Sequence, residues 1–102
     1  MNKEELYDRS FHLIMHSGNA RSCAMEAISY AKQGDSKAVA AKLKEADEEF
    51  VKAHHIQTEL IQKEAGGETF EIPLLFIHAQ DHLMNAMTTL ELAKEIIALH
   101  QR

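Results

Sequence analysis

The chain has 102 residues, which fits one domain able to bury roughly two-thirds of its unfolded surface. Sixteen acidic against 11 basic side chains give a formal charge of −5, which argues against a general nucleic-acid binder and leaves docking onto a basic protein surface open. An ordinary apolar fraction of 45% argues against disorder, and no apolar run approaches the ~20 residues of a membrane span.

The first residues, Met-Asn-Lys-Glu-Glu, hold no apolar signal-peptide core, and Cys23 is the sole cysteine, so no internal disulfide can form. A cytoplasmic protein is the simplest expectation, with Cys23 a small buried helix residue rather than a reactive thiol.

One proline and four glycines punctuate the chain. Gly34 suits a helix C-cap, Gly66-Gly67 ends a second helical pattern, and Pro73 suits the first turn of a third. These marks predict helices over about 3–33, 36–64 and 72–100, in a single all-α domain of residues 1–102.

The first helix can start at Asn2, with Glu5 in capping-box register. Its small and apolar stripe runs Leu6, Ser10, Leu13, Ile14, Ser17, Ala20, Ala24, Ala27, Ile28 and Ala31, and the small residues in its middle permit close helix approach. The second starts near Asp35 or Ser36, both good N-caps. Its stripe is Val39, Leu43, Ala46, Phe50, His54 or Ala53, Gln57 and Ile61, with Lys42, Glu45, Glu48, Glu49, Lys52 and Glu59 on a wet face. The third helix differs: Leu74, Leu75, Phe76, Ile77, Leu83, Met84, Met87, Leu90, Leu92, Ile96, Ile97 and Leu99 cover nearly every side. Two partner helices leave part of such a surface exposed, which predicts association of several copies with the third helix near the symmetry axis.

Within this apolar helix stands His78-Ala79-Gln80-Asp81-His82-Leu83-Met84. Burying ionisable groups without partners costs several kcal/mol, and sequences break their own pattern this way at functional or strained sites. His78 and His82 are i,i+4 neighbours, and His78 and Asp81 are i,i+3, so both pairs can meet over one turn. A neutral His78 imidazole could serve as a phosphoryl nucleophile or as a metal ligand. The His-x-x-x-His spacing matches a zinc helix, but Ala79 stands where a metalloprotease carries its glutamate, and no third ligand is evident. Asp81 is either hydrogen-bonded to a neighbouring helix or, brought to an axis by several copies, in need of a divalent cation. Of the adjacent His54 and His55 at most one can face inward, and the stripe favours His54. His12 and His16 read as a surface pair, and the Glu45–Glu49 charge run as a solvated face. No Gly-rich phosphate loop is present, so ATP is not an expected substrate.

The segment Ile77-His78-Ala79-Gln80-Asp81-His82-Leu83-Met84 resembles the active-site signature of the lactose/cellobiose-type enzyme IIA component of the bacterial sugar phosphotransferase system. Ser17-Gly18-Asn19-Ala20-Arg21, the Gly-Gly turn and the lone proline opening the third helix are similar to that family as well. The resemblance implies a three-helix antiparallel bundle that assembles as a trimer of nine packed helices. It implies a phosphocarrier that accepts a phosphoryl group from HPr on His78 and passes it to the IIB component of a permease for a lactose-, cellobiose- or chitobiose-class disaccharide. Gln80 and His82 would support the phosphoryl group or the imidazole tautomer, and Asp81 would hold one divalent ion per trimer, Mg²⁺ by expectation. The competing expectation is a non-catalytic helical oligomer whose His/Asp cluster binds a structural metal.

Overall fold

The computed structural model describes residues 1–102 and consists of three helices: α1 (Lys3–Lys32), α2 (Ser36–Ala65) and α3 (Leu74–His100). Helices of 30, 30 and 27 residues lie side by side in a rod of 49 × 20 × 17 Å. A three-residue link joins α1 to α2 and an eight-residue link joins α2 to α3. Neither can span a helix length, since eight extended residues reach less than ~30 Å, so neighbouring helices run antiparallel.

Local chemistry sets the ends. The Asn2 side chain accepts the Glu5 N–H at 2.8 Å, and Asp35 accepts the Ala38 N–H at 3.1 Å. Gly34, just past the Gln33 C-cap, has φ +76°, and Gly67 has φ +102°; both turns need a conformation that side chains resist. At α3 the expectation of a start near residue 72 is corrected. Pro73 is extended at the N-cap, with ψ 156°, and the helix begins at Leu74.

The core is a seam of small residues at heptad spacing. In α1 the fully buried positions include Leu6, Ser10, Leu13, Ser17, Ala20, Ala24, Ala27 and Ala31. In α2 they are Val39, Ala46, Ala53 and Leu60, and in α3 Ala79, Leu83, Ala86, Leu90, Ala93 and Ile97. Alternating steps of four and three keep one line of each helix facing its partner along the whole rod. Ser10, inside this seam, satisfies its hydroxyl by donating to the Leu6 carbonyl at 2.7 Å.

The α2 seam corrects two expected positions. Ala53, not His54, is buried, and Leu60 takes the place expected for Ile61, which is 55% exposed. His54 instead lies outside, stacked on Phe50.

α1 is the spine: it packs along both other helices, whereas α2 and α3 touch each other only sparsely. Ion pairs span the gaps, Arg9 to Glu59 at 3.3 Å, Lys42 to Glu26 at 2.9 Å and Lys94 to Asp47 at 3.0 Å. Such exposed pairs contribute at most about 1 kcal/mol each. His16 departs from its expected surface role. It is half-buried, and its Nδ1 bonds the Glu49 carboxylate across α1 and α2, which takes Glu49 out of the solvated run.

The outward face of α3 stays uncovered within one chain. Leu74, Ile77, Met84, Leu92 and Leu99 are all about half exposed or more, as expected of a helix apolar on every side. No helix of the chain is long and apolar enough to cross a membrane.

Candidate functional site

The ionisable cluster sits in the N-terminal half of α3. Ala79, Leu83 and Ala86 bury the opposite side of the helix against the other two helices. Helical geometry therefore turns His78, Asp81 and Asn85 outward, onto the uncovered face, and all three are exposed. An imidazole fixed on a rigid helix but open to solvent can meet a partner without local unfolding.

His78 and His82 come together as their spacing predicts. Their rings meet edge to face, at 86° and a centroid distance of 4.5 Å, with the two Nε2 atoms 3.0 Å apart. One ring must donate an N–H and the other offer a lone pair, so this contact fixes complementary protonation at the two nitrogens. Leu74, Leu75, Ile77 and Asp81 line a cleft of about 610 Å³ beside His78. The ring thus stands at the edge of a largely apolar depression with one carboxylate next to it.

Asp81 has one hydrogen-bond partner in the chain: Asn85 Nδ2 donates to its Oδ1 at 3.3 Å. No three His, Cys, Asp or Glu side chains converge on a common point within the chain.

Gln80 faces elsewhere. Its Oε1 accepts a hydrogen bond from Gln57 Nε2 of α2 at 3.0 Å, and it lines a different cleft with Leu6, Leu60 and Phe76. The chain brings His78, His82 and Asp81 to one face and places Gln80 on another. His54, expected to approach this cluster, instead lines a groove with Phe50, Val51, His55, Thr58 and Met87.

The segment from Ser17 to Arg21, singled out in the sequence only by its resemblance to the family, meets α3 in a way that no spacing predicts. Ser17, Gly18, Arg21 and Ser22 of α1 face His82, Asn85 and Thr89 of α3 across a groove of about 460 Å³ lined by no hydrophobic residue. The available signal was Ser17 at a core heptad position with Arg21 one turn on, a buried hydroxyl followed by a cation.

Cys23 is buried against Ala24, Ala46, Leu90 and Ala93. Burial, reinforced by the nearby Glu45 carboxylate, pushes its thiol above the ordinary cysteine range, as befits an inert packing residue.

Residues 8–101 match the family model for the lactose/cellobiose-specific IIA subunit of the phosphotransferase system. The chain is 58% identical to the lichenan-specific phosphotransferase enzyme IIA component of Bacillus subtilis over 97% of its own length and 90% of that protein. It is 42% identical to the N,N'-diacetylchitobiose-specific EIIA component of Escherichia coli, over 97% and 85%. Among solved structures, the cellobiose-specific enzyme IIA of Bacillus anthracis superposes with a TM-score of 0.90 at 53% identity, covering 99% of this chain and 91% of that one. The IIA(chitobiose) of E. coli, solved in complex with HPr, superposes with a TM-score of 0.80 at 41% identity, covering 94% and 93%. With its three-helix rod, its paired imidazoles on α3 and relatives matched over nearly their full length, this chain belongs to the lactose/cellobiose-type enzyme IIA family of the sugar phosphotransferase system.

Proposed function

We infer that the chain is a phosphoryl carrier in disaccharide uptake, acting in the cytoplasm, with His78 as the acceptor. The observation that carries the reading is an exposed imidazole at the rim of an apolar cleft, hydrogen-bonded through Nε2 to His82 Nε2 at 3.0 Å. HPr is the donor in this reading and a IIB component the acceptor. The solved complex of HPr with the E. coli chitobiose relative supports the first partner.

The step needs positioning and charge stabilisation rather than elaborate covalent machinery. A lone pair on the His78 ring forms a bond to phosphorus while the N–P bond of the donor's phosphohistidine breaks. The electron pair of that bond returns to the donor ring, so no net proton is required. Attack through Nε2 needs that nitrogen to be the acceptor in the resting contact, with His82 as the N–H donor, and the His82 N–H must leave the lone pair as phosphorus approaches. That N–H is then in place to meet a phosphoryl oxygen as charge builds. The leaving and attacking groups are chemically alike, so the transfer is reversible and the relative amounts of phosphorylated and free partners set its direction. The apolar cleft flanked by Leu74, Leu75 and Ile77 supplies a surface from which water can be expelled on docking.

Asp81 and the exposed apolar residues of α3 fit a homotrimer in which three copies of this face meet. A divalent ion such as Mg²⁺, one per trimer, fits the hard oxygen donors that Asp81 would bring to such an axis, and it would neutralise like charges there. Gln80 faces α2 of its own chain, so a contact with the phosphoryl group would be to that of a neighbouring copy. The sugar is of the cellobiose, lactose or chitobiose class and is bound by the membrane component.

Incubation with phosphoenolpyruvate, enzyme I and HPr should add one phosphoryl group, a mass increase of about 80 Da, absent in His78→Ala. A wild-type protein that takes up no phosphoryl group, or a His78→Ala variant that still does, ends this reading.

A further inference from the structure

The polar groove between α1 and α3 lies beside the His78–His82 pair, apart from the apolar cleft, and borders the uncovered face of α3 at Asn85. Three of its features together suit an anion. Ser17 Oγ is buried, with the residue 1% exposed, and is a buried side-chain polar atom without any hydrogen-bond partner. An orphaned hydroxyl inside a packed seam is costly unless something outside the chain completes it. Its counterpart Ser10, one heptad earlier, is satisfied by the Leu6 carbonyl, so Ser17 is not left over from a general property of the seam.

Arg21 is the second feature. Arg9 engages Asp8 and Glu59, but the Arg21 guanidinium has no carboxylate in ion-pairing range, in a chain with a five-charge acidic excess. The third is composition. No residue lining the groove is apolar in side chain or carries a carboxylate; Ser17, Ser22, Thr89, Asn85, His82 and Arg21 all offer N–H or O–H donors. Gly18, on the same wall, leaves the groove open, since a Cβ there would meet nothing within 4 Å.

We propose that this groove is an oxyanion subsite for a phosphate-class tetrahedral anion, anchored by Arg21 and completed by the buried Ser17 hydroxyl. Several donors, one unpaired planar cation and no competing carboxylate suit an acceptor-only ligand with several oxygens. His82 belongs to both sites: its Nε2 faces His78 and its ring lines the groove. The anion can therefore be either the phosphoryl group carried at His78, resting its oxygens toward Arg21, or free inorganic phosphate. As a role for a phosphoryl group held at His78, the proposal rests on the carrier reading above; as a site for free phosphate it does not.

The test is NMR on the intact protein with two arms. In the first, unphosphorylated protein is titrated with inorganic phosphate at fixed ionic strength, observing the Arg21 Nε and the amides of Ser17, Ser22, Asn85 and Thr89. In the second, the same signals are compared before and after phosphorylation through HPr. Saturable shifts in the first arm identify free phosphate as an occupant; shifts confined to the second identify the tethered phosphoryl group. Either response should weaken roughly tenfold in apparent affinity or collapse in amplitude in Arg21→Gln, and fall in Ser17→Ala, while Arg9→Gln behaves as wild type. Silence in both arms, or a response that survives Arg21→Gln unchanged, overturns the proposal. If the protein accepts no phosphoryl group, the carrier reading fails and the first arm alone decides this one.

Discussion

His82 Nε2 lies 3.0 Å from His78 Nε2, with the two rings at 86° to one another. The pair is held by successive turns of one helix whose other side is packed against the core, so its geometry is built in before any partner arrives. Replacing His82 by Ala should slow phosphorylation of His78 by about tenfold to a hundredfold, the worth of one charge-assisted hydrogen bond. His82→Gln, which keeps an N–H donor, should recover part of that loss. Rapid-quench transfer from phosphorylated HPr measures both, and an unaltered rate in His82→Ala would remove His82 from the chemistry.

Asp81 has Asn85 as its one hydrogen-bond partner and points out from the uncovered face of α3. If copies meet there, chelation of divalent ions should weaken wild-type assembly, and Asp81→Asn should make assembly insensitive to chelator by removing clustered charge. Light scattering after size exclusion, with and without EDTA, together with metal analysis, reads both effects. Equal metal content in wild type and variant would detach the ion from Asp81.

Gly18 sits in the interior of α1 with open space where its side chain would be. Gly18→Ala should therefore stabilise the protein by roughly 0.5–1 kcal/mol through helix propensity alone. A urea midpoint that fails to rise would mean that the position is covered in the assembled protein.

Adjacent positions 53 and 54 should respond in opposite ways. Ala53 is fully buried against Leu13, Ala79 and Leu83, so Ala53→Leu forces the helices apart and should cost about 1–3 kcal/mol. His54 is exposed, and His54→Ala should change stability by less than about 0.5 kcal/mol. Thermal or denaturant melts separate the two.

Cys23 is buried, and its thiol is pushed above its ordinary range first by that burial and then by Glu45. Alkylation by iodoacetamide at pH 8 should be slow in the folded protein and become rapid in urea. Fast labelling of the native state would show that the α1 seam opens around it.

The three helices and their caps were legible because caps, turns and period are local properties. Asn2, Asp35, Gly34 and Gly67 act where the sequence places them. The seam of α2 was harder to read. Its period is carried by Ala46 and Ala53, whose small side chains give a weak apolar signal, while the bulkier Phe50 and Ile61 lie beside the line and drew the reading toward His54. The start of α3 slipped because proline fits both the N-cap and the first turn, and only the backbone angle distinguishes them. At the site, the meeting of His78 with His82 followed from i,i+4 spacing, whereas the pairing of Gln80 with Gln57 and of His16 with Glu49 depends on how helices are rotated against each other. The Ser17–Arg21 groove joins residues some 65 positions apart, beyond the reach of any periodicity argument.

The narrow seam has a last consequence. With 19 of 102 residues buried, most of them alanine or otherwise small, a solitary rod gains little from shedding water along its interior. Much of its greasy surface lies instead on the outer side of α3, where only another molecule can shelter it. If copies shelter that side in one another, dilution works as a denaturant, and how much protein the cell makes helps decide how much of it stays folded.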